Sequence, residues 1–426
     1  MQKKALIIAY YWPPAGGPGV QRWLKFVKYL QDFNIEPIVY VPEHAHYPIV
    51  DNSLVNEIPK DIKVIKHPIK EPYGIANVFF KKKTQTMSKG IITTENKQSF
   101  IERLLLFIRG NFFIPDARKS WVKPSVRLLK DVIAQEQIET IITTGPPHSV
   151  HLIGLHLKQA LGVKWLADFR DPWTNIGYHK QLKLLPFAKK KHKKLEQQVL
   201  KEADNIIVTS FATQKEFSQK TKVPISVITN GYDTEMFQDH VTLDSKFTIS
   251  HIGSLLSKRN PEILWKVLND LLKNSEGFKA DFQLTLVGHV GGEVLESIHK
   301  NNLSNYLNNI GYIKHKQSIT YQKKSQVLLL LEIDSVETEA IIPGKLFEYL
   351  ATQRPIVAIG PKQSDVKTIL KETHAGKYFS YEDYNVLKKT ILEYYKAFKE
   401  NKLQAHSMHT EKYSRKALTK TLSELI

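Results

Sequence analysis

The sequence predicts an α/β protein made of two doubly wound parallel sheets that follow one another along the chain. Short runs rich in Ile, Val and Leu alternate with longer amphipathic stretches, which is the pattern of parallel strands flanked by helices. The alternation occurs in two series, separated by a polar stretch after the turn signal Asn230-Gly231. A length of 426 residues is sufficient for two hydrophobic cores. We therefore expect two Rossmann-like domains that face each other across a cleft.

The candidate strands are short apolar runs, most of them separated by stretches with helical spacing of apolar residues. In the first series they are Ala5–Tyr10, Glu36–Tyr40, Thr140–Thr143, Lys164–Asp168, Asn205–Thr209 and Ile225–Thr229. In the second series they are Phe247–Ile252, Phe282–Val287, Val327–Leu331 and Pro355–Ile359. Ligands of such sheets bind at the carboxyl ends of the strands, so the loop after each strand is the place to look for chemistry.

We place the first domain at residues 1–240 and the second at residues 241–405. Residues 406–426 are expected to form a C-terminal helix that could pack back on the first domain. One region, about residues 70–124, does not follow the alternation of strands and helices. It carries basic and apolar clusters such as Phe79–Lys83, and we interpret it as an insertion in the first domain.

The composition excludes several classes of protein. A content of 42% hydrophobic residues is too high for a disordered chain, and the absence of cysteine removes disulfides, thiolate nucleophiles and Cys-ligated metals. The formal charge of +19 indicates an anionic partner, which could be nucleic acid, an acidic membrane or a phosphorylated substrate. Lysine-rich faces that only solvate the protein are the alternative explanation.

The basic and apolar start of the chain has some features of a signal peptide. Its apolar run, Ala5–Ala9, is short and continues into Tyr10–Pro14 without a small-residue cleavage site, so a buried strand is the better interpretation. No apolar segment approaches the length of about 20 residues that a membrane span needs. We expect a cytoplasmic protein that is soluble or peripherally attached to a membrane.

Two loops of the first domain contain candidate ligand-binding residues. Gly16 and Gly17 lie between the first strand and a helix, where backbone amides can approach an anion closely, although a simple tight turn would have the same composition. His148 follows the strand that ends at Thr143, and it could bond to a substrate hydroxyl or phosphate. A lone histidine at such a position can equally be structural.

A third loop of the first domain, directly after the strand Lys164–Asp168, is rich in charge. Asp168, Arg170 and Asp171 lie here beside Phe169 and Trp173. Unpaired charges at a strand end would be costly, so the loop indicates a site that binds polar groups. An internal Arg–Asp pair that only shapes the loop is the alternative.

The second domain offers a candidate diphosphate site. Gly253 and Ser254 follow a strand, and the adjacent cations Lys258 and Arg259 precede a helix, an arrangement that can place dipoles and positive charges on one anion. Gly288 also lies at a strand end. Tyr312 and Ile313, after Gly311, could present backbone groups to a nucleobase.

The most informative stretch of the sequence is Ile341–Ala358, in which a helix is expected to begin at about Gly344. Glu348 lies one turn into this helix, where its carboxylate can accept both hydroxyls of a ribose while the helix N-terminus faces phosphate. Pro343, Gly344 and Lys345 form the start of the same candidate nucleotide site.

These segments resemble glycosyltransferases of GT-B fold, in particular glycosyltransferase family 4 and its bacterial branch that makes cell-surface polysaccharide. The resemblance covers nearly the whole chain and rests on Tyr11–Gly17, Pro146–Ser149, Asp168–Trp173, the Gly253 loop and, most specifically, Pro343–Leu350. It implies transfer of a sugar from a nucleoside-diphosphate sugar to a saccharide or lipid-linked saccharide.

The same resemblance implies roles for individual residues. Gly16 and Gly17 would line the sugar and phosphate site, His148 would contact the transferred sugar, Lys258 or Arg259 would hold the diphosphate, and Glu348 would bind the ribose. The family association further implies retention of configuration with no bound metal and no cofactor, the nucleotide-sugar being a substrate.

Two positions depart from the family pattern. The family often has two glutamates separated by seven residues, but the first position is Ala340 here, with Glu339 one place away. An arginine that commonly follows the glycine of the diphosphate loop is Ser254 in this chain. Altered donor contacts or an inactive homologue are the implications to test.

Two other functions remain open from the sequence. A sugar-nucleotide epimerase of GT-B fold would share the nucleotide-binding half and would act without an acceptor. A nucleic-acid-binding protein would explain the positive charge, but the chain has no repeated aromatic and basic platform of the kind that single-strand binders use. We therefore expect no nucleic-acid partner.

Two basic and apolar clusters of the first domain predict contact with an anionic membrane surface. They are Arg103–Arg109 with the neighbouring Phe112 and Phe113, and Leu182–Lys194. Apolar insertion combined with electrostatic attraction would hold the protein at the inner face of the cell membrane. The alternative is that both clusters are solvated helix faces whose apolar sides lie in the core.

Overall fold

The computed structural model describes residues 2–71, 100–175, 182–335 and 338–426 and divides the chain into two compact units. The N-terminal unit consists of Met1–Asn230 and Arg415–Ile426, and the C-terminal unit of Gly231–Ser414. Within the described part of the chain, no helix is long and apolar enough to cross a membrane.

The division points differ from the predicted boundaries at 240/241 and 405/406. The first lies earlier because residues after Asn230 are bonded within the C-terminal unit, where the Lys323 ammonium donates to the carbonyl oxygens of Phe237 and Asp239. The second lies later because the backbone N–H of Tyr232 donates to the carbonyl of Tyr413 at 3.1 Å. Polar composition alone does not reveal these long-range bonds.

The N-terminal unit is built on seven parallel strands in the order β3-β2-β1-β4-β5-β6-β7. The strands are β1 (Lys3–Ala9), β2 (Ile35–Glu43), β3 (Lys63–Pro68), β4 (Thr140–Gly145), β5 (Lys164–Phe169), β6 (Asn205–Val208) and β7 (Ile225–Val227). Its helices are α1 (Pro18–Leu30), α2 (Phe100–Phe112), α3 (Val122–Glu136), α4 (Ser149–Leu161), α5 (Pro186–Glu202) and α6 (Phe211–Ser218), followed at the C-terminus of the chain by α14 (Arg415–Ser423).

The C-terminal unit has six parallel strands in the order β10-β9-β8-β11-β12-β13. The strands are β8 (Phe247–Ile252), β9 (Phe282–Val287), β10 (Leu307–Gly311), β11 (Val327–Leu331), β12 (Ile356–Gly360) and β13 (Gly376–Ser380). The helices are α7 (Glu262–Asn274), α8 (Glu276–Asp281), α9 (Gly292–Lys300), α10 (His315–Lys324), α11 (Lys345–Thr352), α12 (Asp365–Thr373) and α13 (Tyr384–Lys399).

Both sheets are doubly wound, as the sequence predicts. The strand order reverses between β1 and β4 in the first sheet and between β8 and β11 in the second. Loops diverge at such a reversal and leave a crevice at the carboxyl ends of the two strands. A ligand site is therefore expected at this crevice in each unit.

Every predicted strand is present, β8, β9 and β11 with the predicted ends and the others with shifted ends, but three strands escape prediction. These are β3, β10 and β13, and each lies at the edge of its sheet. An edge strand needs no continuous apolar run because one side remains open to solvent, and all three contain exposed or half-exposed residues.

The insertion proposed for residues 70–124 contains helical structure where it is described. Residues 100–124 hold α2, a 3-10 turn and the start of α3. The Phe79–Lys83 cluster lies outside the described residues.

The C-terminal helix α14 packs against α1 within the N-terminal unit. Leu418, Leu422 and Ile426 join the same hydrophobic cluster as Val20 and Trp23. An ion pair of 2.8 Å between Lys416 and Asp32 lies beside this contact. Apolar burial, rather than this half-exposed pair, accounts for most of the attachment.

Candidate active site

In the C-terminal unit, the loops after β8, β9 and β10 are hydrogen-bonded to one another at the carboxyl ends of these neighbouring strands. The N–H of Gly253 donates to the carbonyl of Val287, and that of Gly288 to the carbonyl of Gly311, both at 2.7 Å. Gly253 and Gly288 have positive φ angles of 122° and 119°, and a Cβ at Gly288 would lie 2.7 Å from the carbonyl carbon of Gly253. Glycine at these two positions keeps the loops close together.

The side chain of Lys345 lies over Gly253. A Cβ added to Gly253 would stand 2.7 Å from the Lys345 ammonium, which donates to His251 Nε2 at 3.3 Å. His251 is buried and its Nδ1 is 3.0 Å from the carbonyl of Leu329, so the ring is neutral, with Nδ1 as donor and Nε2 as acceptor. Lys345 is thereby fixed at the carboxyl end of β8.

The electrostatics of this position favour an incoming anion. Burial and the nearby Arg259 guanidinium lower the pKa of Lys345 to about 7, opposed in part by Glu348. Burial and Lys345 likewise keep the pKa of His251 well below its usual value. Two cations held close together in a desolvated place repel each other, and a bound diphosphate would remove that cost.

Glu348 lies on the first turn of α11, as the sequence predicts, and its two carboxylate oxygens have different partners. His315 Nε2 donates to Oε1 at 2.8 Å, and the Gln322 amide donates to Oε2 at 2.7 Å. Tyr349 attaches the helix to the sheet, because its hydroxyl accepts from the N–H of Ile252 at 3.1 Å. The Glu348 side chain remains about a quarter exposed, at 24%.

A second carboxylate at this edge, Glu332, was missed by the sequence analysis. It follows β11 directly and is buried, and its oxygens accept from the Ser364 hydroxyl at 2.8 and 3.0 Å and from Tyr378 at 2.9 Å. Burial raises its pKa to about 7, while the Ser364 and Tyr378 bonds and Arg259 act in the opposite direction. The available signal was a lone acidic residue immediately after the apolar run Val327–Leu331.

The remaining predicted residues of this unit lie on its surface or near it. Ser254, Lys258 and Gly344 are exposed, and Tyr312 is 88% exposed. Ile313 and Pro343 are half-buried. The Arg259 guanidinium is near enough to Lys345 to lower the pKa of that lysine. Lys258 makes no hydrogen bond or ion pair with a described residue. The role of Lys258 stays a prediction.

In the N-terminal unit, a cavity of about 470 Å³ opens at the carboxyl ends of β1, β4 and β5. Five predicted site residues line it, namely Gly16, Gly17, His148, Arg170 and Asp171. They belong to three separate loops along the chain, and the reversal of the strand order between β1 and β4 brings them together.

The His148 ring forms one wall of this cavity. It is stacked on Trp173, with ring centroids 4.8 Å apart and an interplanar angle of 4°. Trp173 is in turn bonded to His192, 3.2 Å from Nε1 to Nδ1. His148 is almost fully buried at 4% exposure, so only a small part of it can touch a ligand.

Arg170 is held in place by its neighbours. Its guanidinium donates to the carbonyl oxygens of Gly145 and Pro146, and a Cβ at Gly19 would lie only 1.5 Å from its Nη1. Burial raises the pKa of the adjacent Asp171, and Arg170 opposes that shift. Gly19, which the sequence analysis did not select, therefore makes room for this arginine beside the start of α1.

Asp168, predicted to contact a ligand, lies inside the unit rather than in the lining of the cavity. Its side chain is completely buried and accepts from Arg22 at 3.2 Å and from Trp23 and Thr144 at 2.8 Å each. With its oxygens already bonded, Asp168 links α1 to β4 and β5. The alternative interpretation, an internal Arg–Asp pair that shapes the site, is the correct one, but the arginine is Arg22 rather than Arg170.

Three cavity residues that the sequence did not predict come from the proposed insertion. Asp116 accepts from the backbone N–H and the hydroxyl of Ser149, both at 2.8 Å, and so caps α4. Arg118 lies 3.2 Å from Glu71 and over the ring of Tyr10. Arg109, at the end of α2, is the third. Nothing in the sequence periodicity connects these residues with the sheet.

Comparisons with known proteins agree with this architecture. The model of the family described as Glycosyltransferase Family 4 matches residues 91–236. Sucrose-phosphate synthase from Thermosynechococcus elongatus aligns over 100% of this chain and 98% of its own, with 14% identity and a TM-score of 0.60. HepE from Anabaena, solved in complex with UDP, aligns over 99% of this chain and 94% of its own, with 12% identity and a TM-score of 0.57.

A third solved structure is the lipopolysaccharide outer core galactosyltransferase WaaB, which aligns over 99% of this chain and 98% of its own, with 12% identity and a TM-score of 0.58. No curated protein matches the sequence significantly. The predicted GT-B fold is confirmed by the structural matches. The family match over residues 91–236 and the shared fold agree with the predicted class of enzyme, a glycosyltransferase.

Proposed function

We propose that the protein transfers a sugar from a nucleoside-diphosphate sugar to a saccharide or lipid-linked saccharide acceptor during synthesis of a cell-surface polysaccharide. The C-terminal unit would bind the donor and the N-terminal unit the acceptor. The observation that carries the proposal is the grouping of Lys345, Arg259 and Glu348 at the carboxyl edge of one sheet. Two cations suit a diphosphate and the carboxylate suits a ribose.

The proposed chemistry needs stabilisation of a leaving group. The bond between the anomeric carbon and the diphosphate oxygen breaks and the nucleoside diphosphate leaves with the bonding electrons. An acceptor hydroxyl supplies the oxygen of the new glycosidic bond and gives up its proton to the leaving diphosphate or to solvent. Lys345 and Arg259 would stabilise the charge that develops on the leaving diphosphate, in a place where burial strengthens the interaction. Retention of configuration without a metal or cofactor is part of the proposal and follows from the family resemblance.

The cavity of the N-terminal unit supports an acceptor role for that unit. Its volume of about 470 Å³ falls in the range of small-molecule sites, and its walls combine aromatic rings with charged groups. The stacked His148 and Trp173 rings supply an apolar part of the wall, while Arg109 and Arg118 supply positive charge. The name of the WaaB relative, a galactosyltransferase of lipopolysaccharide, supports a cell-surface product.

A transfer assay tests the proposed reaction. Purified protein is incubated with radiolabelled UDP-, GDP- and ADP-sugars, with and without a lipid-linked saccharide fraction from bacterial membranes. We expect label to enter the saccharide fraction and a nucleoside diphosphate to be released. Conversion of the sugar nucleotide into an epimer without any acceptor would instead support the epimerase. Salt-sensitive binding of random DNA, unaffected by nucleoside diphosphates, would support a nucleic-acid-binding protein.

We also propose that α2 and α5 dock on an anionic membrane at the inner face of the cell membrane. The two helices share a small core of Leu106, Ile114, Leu182, Leu184 and Ala188, so part of each predicted cluster is internal packing. The rest faces solvent, including on α2 Leu104, Ile108 and Phe112 at intervals of one turn, and on α5 Phe187 at 54% exposure. Apolar side chains and positive charge thus occur together on the outside, which suits an acidic lipid surface.

Co-sedimentation with vesicles tests the docking. The wild type should pellet with vesicles of anionic lipid, less at high salt, and not with neutral lipid, because each basic residue near the surface adds about 1 kcal/mol of attraction. Five exposed lysines of α5, changed together to Glu, should release it: Lys189, Lys190, Lys191, Lys193 and Lys194.

The matched control is the same change at five exposed lysines of the C-terminal unit, namely Lys266, Lys273, Lys300, Lys371 and Lys389. Equal release by both sets would show that net charge alone drives binding. A wild type that stays in solution with anionic vesicles at low salt would end the membrane proposal.

A further inference from the structure

The carboxylate of Glu348 is held from behind by a buried glutamine. Gln322 lies on α10, is 1% exposed, and donates its amide hydrogen to Glu348 Oε2 at 2.7 Å. His315, the first residue of the same helix, donates to Glu348 Oε1 at 2.8 Å, and its side chain is 45% exposed. One partner of Glu348 is thus solvent-facing, and the other is fixed inside the unit.

A glutamine at position 322 would be destabilising if its side chain only filled space. Its Oε1 atom is buried and, among the described residues, has no hydrogen-bond partner. A buried acceptor without a partner is destabilising, whereas an apolar side chain of similar length, such as methionine, would leave none. The presence of an amide at this position is therefore explained by its N–H group, which donates to Glu348.

A carboxylate must be oriented to accept two hydroxyls at once. The terminal torsion of a glutamate is broad, so an unsupported carboxylate samples many orientations around its last bond. A short bond from a buried donor selects one of them and keeps the remaining lone pairs of both oxygens pointing outward. Lys345, at the start of the same helix as Glu348, is hydrogen-bonded to His251 rather than to the Glu348 carboxylate.

We infer that Gln322 is a positioning residue that orients Glu348 for the ribose hydroxyls of the donor nucleotide. The inference rests on the proposed function, since it assumes that Glu348 binds ribose. Gln322 itself does not touch the nucleotide, because its polar atoms are buried. Its effect should therefore appear only through Glu348 and only for ligands that carry the hydroxyls.

The test compares a nucleoside diphosphate with its 2′,3′-dideoxy analogue, which lacks both hydroxyls, by calorimetric titration. UDP, GDP and ADP are first tried on the wild type, and the tightest is used with its dideoxy form. In Gln322→Met we expect affinity for the ribonucleotide to fall roughly five- to tenfold, about the effect of one weakened bond to a charged group, and affinity for the dideoxy form to change less than about twofold.

Two further variants make the result specific. In a Glu348→Ala background, Gln322→Met should add nothing, because the group through which it acts is gone. Gln283→Met is the matched control, since this half-buried glutamine lies near the start of β9, the end of the strand opposite the site, and should change neither affinity. Thermal midpoints of all variants report whether the fold is kept.

Equal losses for the ribo and dideoxy ligands, or a Gln322→Met effect that persists without Glu348, would overturn the positioning role alone. A wild type that binds none of the three diphosphates would overturn the proposed function, and this inference with it. If Gln322→Met fails to fold, Gln322→Leu replaces it. That variant also removes the amide N–H without adding a charge beside Glu348, and the same selective loss is expected.

Discussion

Replacing Lys345 by methionine is expected to lower the affinity for UDP by roughly ten- to a hundredfold while changing the affinity for uridine less than about twofold. The reason is the location of the Lys345 ammonium. It lies over Gly253, where a bound diphosphate would supply negative charge. Methionine keeps the length and the apolar stem of lysine. Lys266→Met, at an exposed position on α7, is the matched control. Equal losses for UDP and uridine would place Lys345 away from the phosphates.

The same substitution carries a pH signature. The pKa of Lys345 is lowered to about 7 in the free protein, so the amine is mostly neutral above that pH. A bound diphosphate favours the charged form and raises the pKa, so binding must take up a proton. Affinity of the wild type should therefore fall as the pH rises from about 7 to 9. Lys345→Met should lose this slope, and a slope that is unchanged in the variant would assign it to another group.

Replacing Glu348 by alanine is expected to weaken nucleotide binding by roughly ten- to a hundredfold, the effect of losing hydrogen bonds to a charged group. The variant should also bind a ribonucleotide and its dideoxy form equally well, because the ribose-specific contact has gone. A modest loss of stability, about 1–3 kcal/mol, should follow as well, since the buried Gln322 donor loses its acceptor.

Glu348→Gln separates the two effects. Its side-chain carbonyl can still accept from Gln322, so the fold should be restored to nearly wild-type stability while ribose binding remains impaired through loss of charge. Measuring thermal midpoints and titrations on both variants decides between a binding role and a structural role. Wild-type affinity in Glu348→Ala would remove this residue from the site.

The central strands could be predicted because burial on both faces leaves a continuous apolar signature. β8 and β11 occur with the predicted bounds, whereas β10, with two asparagines at the sheet edge, carries no such signature. The division points of the two units differ from the predicted domain boundaries for a related reason. Bonds such as that between Tyr232 and Tyr413 join residues far apart in sequence, and composition near the boundary does not contain them.

The candidate site was predictable to the extent that it follows the strands. A parallel sheet collects the loops after its strands at one edge, which is why Gly16, His148 and Arg170 line one cavity. Residues that act through other residues left no such signal. Gln322 and His315 approach Glu348 from a helix 26 and 33 positions earlier in the chain.

Asp168 is a residue that the sequence predicted as a ligand contact but that the structure does not place in the cavity lining. It has the right type and position for a ligand contact, but three side chains on neighbouring elements already bind it. Whether a charged residue after a strand is available to a ligand depends on which side chains of the adjacent helix point toward it. In this case Arg22 and Trp23 of α1 do so, and only the folded structure contains that information.

The central claim, that the C-terminal unit binds the diphosphate and ribose of a nucleotide-sugar, is tested most directly by thermal unfolding of the purified protein with a panel of nucleosides, nucleoside diphosphates and nucleotide-sugars. A ligand that binds only the native state raises the midpoint in proportion to the logarithm of its concentration once it exceeds the dissociation constant. The account predicts that one nucleoside diphosphate and its sugar derivative raise the midpoint saturably, that the bare nucleoside does so much less, and that Lys345→Met combined with Glu348→Ala abolishes the shift. Midpoints that no member of the panel moves at millimolar concentration, or that move equally in the double variant, would contradict it.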